Sequence, residues 1–230
     1  IISTGSHALR AVIGFKINGG HFMLHMLRKK FGIFLAIGLN IAVVVLEILS
    51  LTEAQGSGGR FFQFYGNDSA ILAIVACATM AFFQICTLPK RKTDVPLWVK
   101  CFKYIATCCL VVNLLVALIL FGPHDGYDRA LFQTPYLYQR FLCPIFAFAS
   151  FVLFEKKPKL PHHAIKLATA PTYAYGAVMI LLNLFEVING PYFFLRVHHQ
   201  SVGYSILYAL GILGGSGVVA WLVRKLNRIL

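Results

Sequence analysis

Few side chains in this sequence could carry chemistry, and they gather at the ends of long apolar runs. Asp68 and Ser69 stand where "FFQFYGNDSAILAIVACATMAF" turns from aromatic and polar to uncharged. Gln139 and Arg140 open a later run, Asn113 lies within another, and Asn183 and Glu186 close a further one three residues apart. Asn40 and Glu47 are seven apart in the first run, which puts them on one face if that run is helical. A charged group in hydrocarbon costs about 2.5 kcal/mol or more, so each of these must face a partner or a wet cavity. Carboxylates, an arginine and amides at one level suit recognition of a polar or ionic group, or proton transfer next to a nucleophile.

The elements that must position them are membrane spans. Hydrophobic residues make up 58% of the 230 residues and charged ones 13%, too apolar for one water-soluble globule. Uncharged or nearly uncharged runs occur at 33–51, 69–88, 104–121, 141–154, 167–188 and 202–223, the fourth being short unless it begins near Tyr136. At about 20 residues per crossing they predict an all-α integral membrane protein, a bundle of six transmembrane helices. The net charge of +13 is held in short clusters between the runs, with no stripe of interleaved aromatics, so it reads as a topology signal and not as a nucleic-acid face. The N-terminal segment, "PKRKTDVPLWVK", "EKKPKLPHHAIK" and "RKLNRIL" hold most Lys and Arg, which predicts both termini on the cytoplasmic side of a bacterial inner membrane.

Residues 1–25 carry GSH and no initiator Met and read as a vector-derived or non-native leader; residues 26–230 read as a single six-helix domain. The six cysteines, in or beside apolar runs and without a CxxC pair, read as small buried hydrophobes. Adjacent histidines, His162 with His163 and His198 with His199, point to different sides of any regular element, so no metal site is expected. No phosphate-binding loop or other cofactor signature occurs. Gly211 and Gly215 share a face of the last run and predict close helix packing, within the bundle or with a second copy.

With this topology Glu47, Asp68, Asn113, Arg140, Asn183 and Glu186 fall at the outer level, and the loop "NGPYFFLRVHHQSVGY" adds His198, His199 and Tyr204 above it. The expectation is an outward-opening polar pocket, with Asp68 capping its helix and Arg140 held by Glu47, Asp68 or Glu186. Its competitor is purely structural pairing of Glu47, Glu186 and Arg140 in the bundle interior.

Five strings, "FFQFYGNDSAILA", "LWVKCFKYIATCCL", "LYQRFLCPIFAFASFVLFE", "TYAYGAVMILLN" and "NGPYFFLRV", resemble six-span bacterial membrane proteins distantly similar to the androgen-induced and androgen-dependent TFPI-regulating proteins. The resemblance runs from about Met26 to the C-terminus. It implies an intramembrane hydrolase of fatty-acid esters, in which a threonine near the start of the second span attacks and a histidine on the fourth takes its proton. Those positions here are Gly66 and Gln139, which can do neither. Ser69 and Cys143 lie one turn away as substitute nucleophiles, and His198 or His199 would have to act as base. The reading is therefore an acyl- or lipid-binding membrane protein related in fold to such hydrolases, with a hydrolase of relocated nucleophile and a small-solute transporter as alternatives.

Overall fold

The computed structural model describes residues 31–53, 60–88, 94–196, 198 and 200–230; the leader 1–25 and His199 lie outside them. Six helices are long and apolar enough to cross a membrane: α1 (Phe31–Glu53), α2 (Tyr65–Thr87), α3 (Leu97–Asp125), α4 (Leu137–Phe154), α5 (Ala164–Leu184) and α6 (Val202–Ile229). There is no strand among the described residues. The protein is an all-α, multi-pass membrane bundle. The end that carries the start of α2 is here called the upper end.

α3 is the central helix and packs against α2, α4, α5 and α6. It packs most extensively against α2, whose Ala70, Ala73 and Cys77 are fully buried and recur at helical spacing. Small side chains on one face bring two backbones together, and in lipid that contact is the main source of helix association. Val43 of α1 and Ala147 of α4 close the same cluster with Ala106 and Leu110 of α3. On the other flank the ring of Tyr104 stacks on Phe151 and its hydroxyl donates to the Ala220 carbonyl of α6 at 2.5 Å.

Two helices extend beyond the apolar runs read from sequence. α3 begins at Leu97, after Pro96, and so takes Lys100 and Lys103 into the bundle, while α6 continues through Arg224 and Asn227. The charge ends the apolar window, but nothing in the backbone ends the helix there. α3 and α4 also contain π-helical turns, at Ala117–Phe121, Leu137–Leu142 and Ser150–Phe154.

The glycine face of α6 does not make the packing expected of it within the bundle. Positions 211, 214, 215 and 217 have no neighbour within 4 Å of where a side chain would begin. Gly211 and Gly215 instead border a groove of about 300 Å³ between α6 and α3.

Candidate functional site

Gly66 and Gln139 face each other. Gly66 is in the first turn of α2, Gln139 is in the π-helical turn that opens α4, and a Cβ built on Gly66 would lie 2.6 Å from Gln139 Oε1. The absence of a side chain at 66 is what admits the glutamine. Gln139 Nε2 donates to Asn67 Oδ1 at 3.1 Å, Asn67 Nδ2 donates to the Phe61 carbonyl at 2.9 Å, and Asn113 Nδ2 donates to the Gln139 carbonyl at 3.4 Å. A buried amide network with its partners in place fixes geometry and leaves little spare capacity for proton transfer.

The candidate nucleophiles are engaged elsewhere. Ser69 is buried and its hydroxyl donates to the Gly66 carbonyl at 2.8 Å. Cys143 is fully buried, with Sγ 3.8 Å from the Val43 carbonyl and Glu47 beside it. Among the described residues neither has a histidine partner. His198 is exposed, with Nε2 3.2 Å from the Asn183 carbonyl.

The charged residues do not pair as expected. Arg140 lies over the rings of Tyr136 and Phe121, its guanidinium carbon 3.9 and 4.6 Å from their centroids, and donates to the Ala130 carbonyl at 3.3 Å. None of Glu47, Asp68 and Glu186 is within ion-pairing distance; the His124–Asp125 contact is the only such pair among the described residues. The electron-rich faces of two rings and a carbonyl stabilise the cation where a carboxylate was expected. Asp68 accepts no capping hydrogen bond: Phe64 is the N-cap residue and has no side-chain cap, and Asp68 contributes only a negative charge in the first turn. Glu47 is fully buried and neither oxygen has a hydrogen-bond partner. Glu186 is exposed, past the end of α5, with φ of 56°. Asn183 is buried and donates to the Ile188 carbonyl, and Tyr204 is exposed on α6.

Empty space lies on the other side of α3. A cavity of about 530 Å³ opens between α3, α5 and α6, its walls including Val112, Asn113, Val116, Ile180 and Ile212. Five tyrosines, Tyr65, Tyr173, Tyr175, Tyr192 and Tyr208, line it together with the polar side chains of Asn113, Thr172 and Ser205. The Tyr65 hydroxyl shares a hydrogen bond of 2.8 Å with Thr172 Oγ1, and Tyr175 donates to the Gln63 carbonyl at 2.7 Å. Tyr192 lies against the backbone of Tyr65 and Gly66; burial pushes its phenol up to about 12, against the pull of Arg140, so it stays a hydroxyl at neutral pH. Asp68 and Ser69 line a separate cavity of about 320 Å³ between α2 and α5. Of the pocket residues read from sequence, Asn113 borders the first cavity and Asp68 the second.

A second polar assembly was missed by sequence reasoning. In the lower half of the bundle, Glu155 Oε1 accepts from Asn40 Nδ2 at 2.7 Å and Gln84 Nε2 at 3.3 Å. Lys103 Nζ donates to Cys77 Sγ at 2.8 Å and Lys100 Nζ to the Lys156 carbonyl at 2.6 Å; both lysines are fully buried. Asn227 donates to the carbonyls of Phe151 and Glu155. Oε2 of Glu155 and Oδ1 of Asn40 remain unpartnered. The available signal was the placement of Lys100, Lys103 and Glu155 within one turn of apolar runs.

Comparison with protein-family models, curated proteins and solved structures finds no match in any of the three.

Proposed function

We propose that this protein binds a lipid acyl chain in the cavity between α3, α5 and α6 and does not hydrolyse it, in a bacterial inner membrane with both termini cytoplasmic. The observation that carries the reading is the cavity: about 530 Å³ of largely apolar space, within the roughly 300–1,000 Å³ usual for ligand sites, with phenols gathered near its upper end. Gly66 and Gln139 support the absence of turnover, since glycine offers no nucleophile and an amide no general base. The related-hydrolase fold remains part of this proposal and rests on the strings quoted above.

Purified protein should carry co-isolated acyl lipid, detected by mass spectrometry after extraction, and Ala209→Phe should strip most of it by filling the cavity at a lining position. Esters of long-chain acids should be bound without turnover. Gly66→Thr combined with Gln139→His should raise esterase activity above background, with little from either change alone, because nucleophile and base act as a unit. Robust hydrolysis by the unmodified protein, lost in Ser69→Ala or Cys143→Ala, would replace this reading with a relocated nucleophile. The orientation predicts that reporter fusions after Gly58 and Asp125 score outside and those after Thr93 and Lys159 inside.

The lower polar assembly favours a second reading, passage of a small solute or proton through α1–α4, because Asn40, Gln84, Lys103 and Glu155 extend buried polarity into the lower half. Flux into proteoliposomes that is abolished by Glu155→Gln would select it over acyl binding.

A further inference from the structure

Asp68 is a carboxylate without a cation. It is half-buried on the first turn of α2, and no basic side chain among the described residues lies within ion-pairing distance. The cavity it lines has an unusual composition. Three aromatic side chains, Phe62, Tyr65 and Tyr175, line the same cavity as the carboxylate, and Ser69, Leu72, Pro171 and Ala174 are among its other walls. The mouth opens on the outside of the bundle between α2 and α5, where Phe62 and Val178 are exposed.

Two of the rings are held in place by bonds that do not involve the cavity. Tyr65 is tied to Thr172, Tyr175 is tied to the Gln63 carbonyl, and their centroids are 5.1 Å apart. A site whose aromatic walls are already fixed loses less entropy on binding. A carboxylate among aromatic rings recognises an ammonium group: the charge pairs with Asp68 and the rings attract it through their quadrupoles. A freely soluble amine gains nothing from the apolar remainder of the groove, whereas an amphiphile does.

We infer that this groove binds the ammonium headgroup of a zwitterionic membrane lipid, with the ammonium at Asp68 between Phe62, Tyr65 and Tyr175 and the first part of the chain against Leu72, Pro171 and Ala174. The site shares Tyr65 and Tyr175 as a wall with the larger cavity but does not need an acyl chain in it.

The test uses the full chain in nanodiscs of mixed phosphatidylethanolamine, phosphatidylcholine and phosphatidylglycerol with identical chains, followed by native mass spectrometry of the lipids retained. The two ammonium lipids should be retained at least about fivefold over phosphatidylglycerol, as one cation–π and charge contact of this kind allows. Asp68→Asn should remove that preference, and Asp68→Glu should keep most of it while controlling for folding. Leu72→Trp should lower retention of all three lipids by blocking the groove. An unchanged preference in Asp68→Asn overturns the inference, as does preferential retention of phosphatidylglycerol. Displacement of the lipid by millimolar choline chloride would also overturn it, assigning the site to a soluble amine. Diacylglycerol added to the same nanodiscs reports on the larger cavity alone: no retention of it with the ammonium preference intact would sink the acyl-binding reading and leave this one standing.

Discussion

The two flanks of α3 solve the same problem in opposite ways. Toward α1, α2 and α4 the helices touch through alanine, cysteine and valine, and the space they enclose holds buried amides, lysines and carboxylates. Toward α5 and α6 the contacts include tyrosine and phenylalanine, and cavities of about 530 and 300 Å³ remain. Small residues allow close approach, so any polar group on that side is shut away from water and must find its partner in place. Large rings prop helices apart, and their hydroxyls settle on nearby carbonyls and hydroxyls instead of sealing the gap. Rigidity and capacity for a ligand are thereby divided between the two sides of one helix.

The contrast can be broken most forcefully at Glu155. Glu155→Leu removes the carboxylate acceptor shared by Asn40 and Gln84, leaving Asn40 only its 3.3 Å bond to Gln84 Oε1 and Gln84 Nε2 unpartnered in a buried site. The expected loss is about 2–5 kcal/mol in detergent unfolding, from buried amides deprived of a charged acceptor, whereas Ala209→Phe on the open flank should leave the midpoint nearly unchanged. Equal losses at both positions would erase the distinction. Next in size is Gly66→Ala, expected to cost about 1–3 kcal/mol because its methyl group must displace Gln139 Oε1 and disturb the bond to Asn67. With Gln139→Ala in the background most of that penalty should vanish, so the double-mutant cycle should show strong coupling.

Arg140 sharpens the comparison where the flanks meet, since the Phe121 ring beneath it also lines the larger cavity. Arg140→Met should cost about 1–2 kcal/mol through loss of the ring contacts. Its effect should add to that of Glu47→Gln within about 0.5 kcal/mol, since the two groups are not paired. Coupling above 1 kcal/mol would restore the ion pair. The smallest effect belongs to Gly215→Ala, which meets no neighbour and should shift monomer stability by no more than about 0.5 kcal/mol. Chemical cross-linking of the same variant reads the glycine face directly: a dimer lost with the added methyl would assign that face to a second copy.

The spans were legible in the sequence because a run of apolar residues long enough to cross a bilayer has few other uses. The facing of Gly66 and Gln139 has no signature in the residues themselves, since no local pattern links positions 73 apart. Arg140 misled because opposite charge is the simplest partner for a buried cation, while the competing partners, Tyr136 and Phe121, look like ordinary apolar residues in a sequence. Lys100 and Lys103 fall outside the apolar run 104–121 because hydropathy drops at a charge regardless of whether the helix continues. The cavity had no sequence signature: a void between three helices is a property of how their side chains fail to meet.

The π-helical turn at Leu137–Leu142 makes the upper half of α4 sensitive to chain length in a way that substitutions cannot reproduce. Such a turn bonds each residue to the fifth along, so it accommodates a residue that an α-helix would exclude. Losing one codon there would restore a plain α-helix and rotate the segment above relative to that below by about 100°. Gln139 would swing away from Gly66 and Arg140 away from its rings, while the lower bundle kept its register. Indels of a single residue at this turn are therefore a discrete evolutionary route between different facing residues at position 66, available without rebuilding the helix beneath.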